Sequence, residues 1–258
     1  MKILYVIVLY KCNLDESNTC KSIIKSNMND INAKFLIWDN SPNSNITENI
    51  VNHFFGCECE FIRDENNCAL SKVYNYALCK YGDFDLIQFF DQDSTFHWEN
   101  YNKYLSNELL GLNCNLFLPK IYSNNLLYSP GKMFVFKGVH YKNIKEGFNQ
   151  SKYFTAITSG ILIKPRFFCD NKLYFNEKLV LYGIDTDFIE KYKKICKKFF
   201  LIPFSIDHDL SETHLDKYEK KKRRRVMISA LYVIYEKNFY KKFIVSLYYL
   251  ILKICKKV

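Results

Sequence analysis

The chain has 258 residues, of which 48% are hydrophobic and 17% aromatic, with 8 glycines and 5 prolines. This composition excludes a disordered or collagen-like chain and predicts one large folded domain, with or without an appendage. The formal charge is +10, and residues 191–258 carry all of the excess, with 18 Lys or Arg against 6 Asp or Glu. A basic tail of this kind binds nucleic acid or anionic lipid, or serves solubility alone.

Cysteine usage and the N-terminal residues exclude several classes of protein. The ten cysteines contain no Cys-x-x-Cys pair, which favours reduced thiols over a zinc site or a disulfide scaffold. The apolar run Ile3–Tyr10 is short and lacks a small-residue cleavage site, so we interpret it as a core strand and not as a signal peptide. No segment has eighteen uncharged apolar residues in a row, and we therefore expect no transmembrane helix.

Apolar runs alternate with helix-spaced segments through the first ninety residues. The predicted strands are Lys2–Leu9, Lys34–Trp38, Cys59–Ile62 and Leu86–Phe90. The predicted helices between them are Asp15–Asn29, Ile46–Phe55 and Asn67–Tyr81. This alternation indicates βαβ units and a parallel sheet. Neither Gly-x-Gly-x-x-Gly nor a P-loop motif follows the first strand, which argues against a dinucleotide-binding enzyme and against a P-loop NTPase.

The alternation loosens after Asp93, and the second half predicts a more mixed sheet. The predicted elements are a helix at His97–Leu110, strands at Leu116–Pro119, Met133–Lys137, within Thr155–Lys164 and at Phe199–Ile206, and a helix from Phe188 to about Lys197. Asp185 or Thr186 is available to cap that last helix. A boundary near Leu215–Lys222 is expected to separate a domain of residues 1–215 from a tail of residues 216–258.

The strand Leu86–Phe90 ends in Asp91-Gln92-Asp93, which places two carboxylates at the carboxyl end of a buried strand. Ligands of open α/β sheets bind at this edge. Magnesium or manganese held together with substrate phosphates needs one or two carboxylates from the protein. Taken alone, Asp-x-Asp is a weak signal, because a solvated turn that closes a strand has the same sequence.

Six motifs in order between residues 3 and 214 resemble the inverting glycosyltransferases of family 2, and within them the rhamnosyltransferase-like branch. The motifs are Trp38-Asp39-Asn40-Ser41, Asn67–Asn75, Phe90–Ser94, Thr158-Ser159-Gly160, Tyr182–Asp187 and His208-Asp209-Leu210. The resemblance implies the GT-A fold, an α/β fold with a Rossmann-like nucleotide-binding mixed sheet flanked by helices. A C-terminal helical basic extension would follow that domain.

The resemblance also implies roles for the carboxylates. Asp39 would hold the uracil or thymine base, and Asp91 and Asp93 would hold the ribose and the metal-bound diphosphate, with Mn²⁺ or Mg²⁺ as the cofactor. Asp185 matches the catalytic base that takes the proton of the acceptor hydroxyl, although Ile184 stands where the family usually has an acid. A helix-capping role is the structural alternative for Asp185. Asp187 would support the catalytic base or cap the helix.

The remaining predicted site residues carry alternatives of their own. His208 would complete the metal site or contact the diphosphate, or else be a structural histidine. Lys72 would contact the diphosphate near a helix N-terminus, or else be a solvated helix lysine, and Ala69 stands nearby where the family usually has glycine. The other predicted substrate-binding residues are Tyr10, Asn40, Asn67, Gln92, Ser159 and Gly160.

The implied function is metal-dependent, inverting transfer of a hexose from a UDP- or dTDP-sugar to a hydroxyl of a cell-surface glycan such as lipopolysaccharide or capsule. A rhamnose-type donor is favoured by the resemblance, and a galactosyl- or glucosyl-type transferase of the same fold stays open. A different class, a basic nucleic-acid-binding or scaffold protein, would use only the tail. It would have no need of Asp-x-Asp at a strand end, so no nucleic-acid partner is expected.

The tail combines six consecutive basic residues, Lys220–Arg225, with apolar residues at helical spacing between Leu231 and Ile254. A basic amphipathic segment binds anionic headgroups at roughly 1 kcal/mol per well-placed cation. We therefore expect residues 220–258 to dock on the cytoplasmic face of the inner membrane, near a lipid-linked glycan acceptor. The protein would then be cytoplasmic and peripheral to that membrane. The alternative is a helical pair packed on the body or in a homodimer.

Overall fold

A computed structural model describes residues 1–25, 32–97, 101, 105, 107–209, 216–255 and 258. Within these residues, ten strands form one mixed sheet: β1 (Lys2–Leu9), β2 (Asn32–Asp39), β3 (Glu60–Arg63), β4 (Leu86–Asp91), β5 (Ser94–Thr95), β6 (Leu116–Ser123), β7 (Leu126–Ser129), β10 (Gly147–Gln150), β12 (Leu162–Ile163) and β13 (Lys198–His208). Three more strands form a small second sheet: β8 (Gly131–Phe134), β9 (Lys137–His140) and β11 (Phe154–Thr155).

Eight helices are described alongside these sheets. They are α1 (Asn18–Ile24), α2 (Glu48–Phe55), α3 (Leu70–Lys80), α4 (Asn107–Gly111), α5 (Pro165–Asp170), α6 (Ile184–Ile195), α7 (Lys217–Ile234) and α8 (Phe239–Ile254). Parts of three predicted features lie outside the described residues: the end of the helix Asp15–Asn29, half of the helix His97–Leu110, and Leu210 together with the start of the boundary at Leu215.

The first half of the chain confirms the predicted parallel sheet. Strands β3, β2, β1 and β4 lie side by side in that order and all run parallel. Residues Ile3–Leu9 are buried along the whole of β1, as expected for a central strand covered on both faces. Leu9 pairs with Asp39 and Val8 with Asp91, so both carboxylates emerge at the carboxyl edge of the sheet.

The second half is mixed, as predicted, but two element predictions are wrong. The segment Met133–Lys137 is not one strand, because the chain turns at Val135 and Phe136 to form the β8–β9 hairpin. Helix α6 begins at Ile184, four residues before the predicted start. Its N-cap is Gly183, which has φ +81° and forms no side-chain cap. This backbone cap removes the capping role considered for Asp185 and places that residue in the first helical turn.

Two hydrophobic clusters cover the faces of the main sheet and fix the helices that flank it. One cluster joins α3 and α6 to the sheet, and within it the rings of Phe175 and Phe188 stack with centroids 4.1 Å apart. The other joins α1 and α2 to the opposite face, where Phe35 and Phe55 stack at 5.3 Å. The sheet edge that carries the carboxylates is therefore held between two packed layers.

The tail folds as a helical pair that packs on the body. Asp216 and Glu219 form a reciprocal capping box at the start of α7. Ala230 of α7 belongs to the hydrophobic cluster around α6, and the rings of Phe136 and Tyr248 pack at 5.1 Å. Among the described residues, no helix combines the length and the apolar character needed to cross a membrane.

Candidate active site at the carboxyl edge of the sheet

A cavity of about 570 Å³ lies at the carboxyl end of β4, where the main sheet meets the small sheet and the start of α6. Its walls come from widely separated parts of the chain. Polar and charged side chains that line it are Tyr74, Asp91, Asp93, Tyr128, His140, Thr155, Thr158, Tyr182, Asp185, Thr186, His208, Asp209 and Arg223. The cavity therefore brings together the two predicted carboxylate motifs, the predicted histidine and two residues of the tail, Arg223 and Met227.

Three potential metal ligands converge at one end of this cavity. Ligand atoms of Asp91, Asp93 and His208 all lie within 4.8 Å of one another. Asp91 ends β4, Asp93 lies in the following turn, and His208 ends β13. The short strand β5 pairs antiparallel with β13 and sets Ser94 opposite His208, so backbone pairing brings the histidine to the carboxylates.

The protonation of this cluster is set mainly by burial. Burial, followed by the nearby charges of Asp93 and Asp185, raises the pKa of Asp91 to about 7. Burial also raises the pKa of Asp93, against the opposing effect of His208. The pKa of His208 is lowered by burial, so the imidazole is neutral near pH 7, the form in which histidine binds metals.

These residues fit a divalent cation. The buried Oδ1 of Asp93 forms no hydrogen bond with the described residues, although it lies 3.3 Å from Nδ1 of His208. A buried, unsatisfied carboxylate oxygen is costly unless a cation or a polar group satisfies it. Two carboxylates and one imidazole form an oxygen and nitrogen ligand set suited to Mn²⁺, with positions left for phosphate oxygens.

Asp185 lies in the same cavity, in the first turn of α6. Its Oδ1 accepts hydrogen bonds from the backbone N–H of Thr158, at 3.1 Å, and from the Thr158 hydroxyl. Burial raises the pKa of Asp185, and the two bonds from Thr158 oppose that rise. The arrangement orients the carboxylate and leaves its other oxygen to meet a ligand, which is the geometry that a general base requires.

Asp39 lies at the same sheet edge but does not line this cavity. It is fully buried, and its Oδ1 accepts from the backbone N–H of Ser41 at 3.0 Å. Its Oδ2 has no hydrogen-bond partner among the described residues. Asn40 donates to the carbonyl of Cys68 at 2.9 Å, and Asn67 in the adjoining loop has φ +51°. Asn40 thus joins the Asp39 loop to the segment that precedes α3.

Four further predicted residues lie around the Asp-x-Asp turn. Gln92 Oε1 accepts from the backbone N–H of Tyr10 at 2.7 Å, and the Tyr10 side chain is exposed. Ser159 Oγ accepts from the backbone N–H of Asp91 at 3.2 Å. Gly160 packs tightly, since a Cβ there would lie 2.9 Å from the Ile206 side chain. Ser159 and Gly160 therefore support the turn from behind the cavity.

Two further predicted residues, Lys72 and Asp187, also do not line the cavity. Lys72 is exposed on α3, whereas Leu70 and Tyr74 of the same helix do line it. Asp187 is buried and pairs with Lys191, with 2.7 Å between Oδ2 and Nζ. The structure thus brings together Asp91, Asp93, Asp185 and His208, and separates Lys72 and Asp187 from them.

Sequence reasoning assigned no site role to three residues that line or support the cavity, Tyr74, Ser94 and Arg223. The hydroxyl of Tyr74 is hydrogen-bonded to Asp91, yet the helical spacing of Tyr74 indicates only a core residue. Ser94 Oγ lies 3.1 Å from both Ser159 Oγ and His208 Nδ1. Arg223 reaches the cavity from α7, with its guanidinium 5.1 Å from the Tyr182 ring. Arg223 precedes the buried Ala230 by about two helical turns, so the two residues lie on the same face of α7. This spacing could have indicated that Arg223 points toward the body of the protein.

Comparison by sequence with protein-family models gives no match, and no curated protein matches either. Solved structures do match by fold. Residues 1–349 of TarS from S. aureus have a TM-score of 0.62 at 16% identity over 92% of this chain and 74% of that one. The same protein in complex with UDP-GlcNAc gives 0.63 at 17% identity over 91% and 65%.

A third solved structure, GalNAc-T7 with UDP, GalNAc and Mn²⁺, has a TM-score of 0.61 at 12% identity over 81% of this chain. The present chain spans 44% of the length of that protein. These neighbours are GT-A glycosyltransferases, and the chain shares their fold, with a mostly parallel central sheet flanked by helices. The predicted fold class is confirmed.

Proposed function

We propose that this chain is a metal-dependent, inverting glycosyltransferase that uses a nucleotide-sugar donor. One observation carries the proposal: Asp185 and the cluster of Asp91, Asp93 and His208 line a single cavity at the carboxyl edge of the sheet. Transfer of a sugar from a nucleoside diphosphate needs stabilisation of the leaving group and a base for the acceptor. The cavity offers a group for each task.

The leaving-group side consists of the three-residue cluster. Asp91, Asp93 and His208 would hold Mn²⁺ or Mg²⁺, which would supply Lewis-acid stabilisation of the charge on the leaving diphosphate. Tyr74 donates to Asp91, and Ser94 contacts His208, so the ligands are oriented from a second layer of side chains. Asp39, with one unsatisfied oxygen at the same edge, would accept from the nucleotide base or ribose.

The acceptor side consists of Asp185. Its carboxylate is fixed by two hydrogen bonds from Thr158, and its pKa is raised by burial. A carboxylate with a raised pKa is a better proton acceptor at neutral pH than an exposed one. A single base that deprotonates the acceptor hydroxyl directly leads to one displacement at the anomeric carbon and hence to inversion.

The proposed donor is a UDP- or dTDP-sugar. Its nucleotide is supported by the neighbour TarS, which has been solved in complex with UDP and with UDP-GlcNAc. A rhamnose-type sugar is favoured only by the sequence resemblance, and the proposed acceptor is a hydroxyl of a cell-surface glycan such as lipopolysaccharide or capsule. The carboxylate-rich cavity disfavours the alternative of a nucleic-acid-binding protein, because phosphate backbones are repelled by such a surface.

Peripheral membrane docking at the cytoplasmic face is proposed for the tail. Helix α8 exposes a set of large apolar side chains together with lysines, the pattern of an interfacial helix. The most exposed are Phe239, Tyr240, Phe243 and Ile254, at 60–86%. Docking would bring the candidate active site close to lipid-linked acceptors. The alternative to membrane docking is that the same face of α8 forms the contact of a homodimer.

The test is release of nucleoside diphosphate from a panel of UDP- and dTDP-sugars in the presence of Mn²⁺. We expect release from at least one donor, loss of that release with chelator, and loss of it in Asp93→Ala. Absence of release from every donor, or nucleotide binding that is unaffected by both chelator and Asp93→Ala, would overturn the proposal.

A further inference from the structure

A second cavity, of about 530 Å³, lies between the hairpin of β6 and β7 and the loop that follows β9. We call it the β6–β9 groove. Leucine and isoleucine side chains form part of its lining, and His140 lies at one side. The other polar residues are two tyrosines, two asparagines and two lysines: Tyr122, Tyr141, Asn125, Asn143, Lys120 and Lys142. Among the described residues, no carboxylate lines this groove.

The groove adjoins the candidate active site at the carboxyl edge of the main sheet. Strand β6 runs parallel to β13, and Tyr122 pairs with Asp207, the residue before His208. His140 lines both the groove and the larger cavity. Its ring packs 5.2 Å from the ring of Tyr128, which also lines the larger cavity. The groove is therefore a continuation of the candidate active site on the far side of His140.

The segment that builds the groove is basic, although the body around it is not. Residues 120–150 contain five lysines and one glutamate, whereas residues 1–190 as a whole contain 19 Lys or Arg against 21 Asp or Glu. The glutamate, Glu146, pairs with Lys120 at 2.7 Å. Lys142 is exposed and forms no ion pair with the described residues. The groove therefore has a local excess of positive charge, which attracts an anionic ligand.

The rest of the lining suits a sugar. A sugar ring has C–H groups on its faces, which pack on aromatic and aliphatic side chains, and hydroxyls around its edge, which need hydrogen-bond partners. Tyr122 and Tyr141 are half-buried, and each offers a ring surface together with a hydroxyl. Asn125 and Asn143 are exposed, and each amide both donates and accepts. Leu126, which is 64% exposed, adds apolar surface to the lining.

We propose that the β6–β9 groove binds a sugar of the acceptor that carries a carboxylate or phosphate group, and that this sugar is a neighbour of the one whose hydroxyl reacts at Asp185. The anionic group would pair with Lys142, and the sugar ring would pack on the tyrosines. The family resemblance implies a glycan acceptor of unspecified charge and length. The groove adds that the acceptor is acidic and at least two sugars long, an assignment that rests on the proposed transferase function.

The test is direct binding of trisaccharides to the full chain, measured by calorimetry without donor. Chelator is present to prevent binding through a metal at Asp91 and Asp93, and salt of about 0.15 M screens exposed charges outside the groove. The acidic probes are trigalacturonic acid, which carries carboxylates, and mannotriose phosphorylated at its terminal sugar. The controls are neutral maltotriose and triglutamate, which presents carboxylates on a peptide.

We expect at least one acidic trisaccharide to bind at a single site, at least about tenfold tighter than maltotriose and triglutamate. The acidic trisaccharide that binds identifies the anionic group as a carboxylate or a phosphate. Equal affinity for triglutamate would reduce the groove to a site for anions or acidic peptides, and equal affinity for maltotriose would remove the role of charge. Either result, or binding of neither acidic trisaccharide, would overturn the proposal.

Two single variants locate the binding. Lys142→Glu reverses the charge in the groove, and we expect it to weaken binding of the acidic trisaccharide at least about tenfold. Lys145→Glu makes the same change of charge at an exposed position of the same loop that does not line the groove. This control should bind within about twofold of the unmodified chain, and circular dichroism verifies that both variants fold. Equal losses in the two variants would mean that binding follows overall charge, and the groove assignment would be wrong.

The outcome is separable from that of the transferase proposal. A chain that releases nucleoside diphosphate from a donor but binds neither acidic trisaccharide overturns the groove assignment alone. A chain that binds an acidic trisaccharide through Lys142 but uses no donor overturns the transferase function and the acceptor role, and leaves a carbohydrate-binding site.

Discussion

Ser94 and His208 face each other across the antiparallel pair of β5 and β13, and Ser94 Oγ lies 3.1 Å from His208 Nδ1. Ser94 follows Asp93 directly, so the same short pairing sets His208 Nδ1 3.3 Å from Asp93 Oδ1. Ser159 adds a second hydroxyl, with its Oγ 3.1 Å from Ser94 Oγ. The candidate metal cluster therefore depends on backbone pairing between residues that are 114 positions apart in the chain.

Ser94→Ala should weaken Mn²⁺ binding about 10- to 100-fold, the usual effect of removing a group that orients a metal-binding histidine. The histidine itself stays in place, because the pairing of β5 with β13 is made by the backbone. Calorimetric titration with Mn²⁺ measures the change. Thr95→Ala, in the same strand but with an exposed side chain, is the matched control and should bind Mn²⁺ normally. Normal affinity in Ser94→Ala would show that the hydroxyl does not orient the imidazole.

Asp185→Asn should lower the rate of sugar transfer by about 10²- to 10⁴-fold, the typical contribution of a general base. The asparagine oxygen retains an acceptor for both Thr158 donors, so the donor nucleotide should bind within about twofold of its normal affinity. Transfer kinetics and nucleotide titration separate the two effects. Asp187→Asn removes a nearby carboxylate that pairs with Lys191, and it should retain most of the transfer rate. Full transfer by Asp185→Asn would exclude Asp185 as the base.

The parallel half of the sheet and the Asp-x-Asp motif at its edge were predictable from sequence. Buried parallel strands are continuous apolar runs, and β1, β2 and β4 each have such a run. Because all parallel strands end at one edge, Asp39 and Asp91 were expected at the same side of the sheet, where their pairing to β1 places them. Local patterns were sufficient here because alternation with helices indicates that the strands run parallel.

Three features of the site were not predictable from local patterns. The two-residue strand β5 has no periodicity of its own, so its pairing with β13 could not be inferred. Helix α6 starts through the backbone of Gly183, without a capping side chain, and so its first turn was missed. The direction of Arg223 depends on which face of α7 packs on the body. Each of these depends on long-range packing instead of local propensity.

Asp91→Asn should stabilise the metal-free protein at pH 8, and it should stabilise it less at pH 5. The pKa of Asp91 is raised from 3.8 to about 7, so the folded state favours its neutral form. That contribution to stability is complete below about pH 4 and is lost progressively as the pH rises from there to about 7. Asparagine is neutral at every pH and avoids the loss.

Thermal unfolding with chelator at the two pH values measures this effect. Added Mn²⁺ should raise the unfolding temperature of the unmodified chain at pH 8 but not that of Asp91→Asn, because only the former keeps the ligand. Burial also raises the pKa values of Asp93 and Asp185, so some pH dependence should remain in the variant. An unchanged difference in stability between pH 5 and pH 8 would contradict the assignment of Asp91 as a titrating group.

Gly183→Ala should destabilise the protein more than Gly56→Ala, although both glycines have positive φ values, +81° and +66°. The shared cost of a left-handed alanine is about 1–2 kcal/mol. A Cβ at Gly183 would also lie 2.9 Å from Ala230 Cβ and 3.0 Å from Ile234 Cδ1 of α7, whereas a Cβ at Gly56 would meet nothing within 4 Å. Overpacking of this kind typically adds about 1–3 kcal/mol.

The difference between the two variants in chemical denaturation therefore measures how firmly α7 packs on the start of α6. Because Asp185 is two residues beyond Gly183, a displaced α7 should also lower the transfer rate in Gly183→Ala, and Gly56→Ala should transfer normally. Equal free energies of unfolding in the two variants would mean that α7 moves away from the added methyl group without any loss of stability. The basic helix would then be a loosely attached appendage, and Arg223 would have no fixed position beside the candidate base.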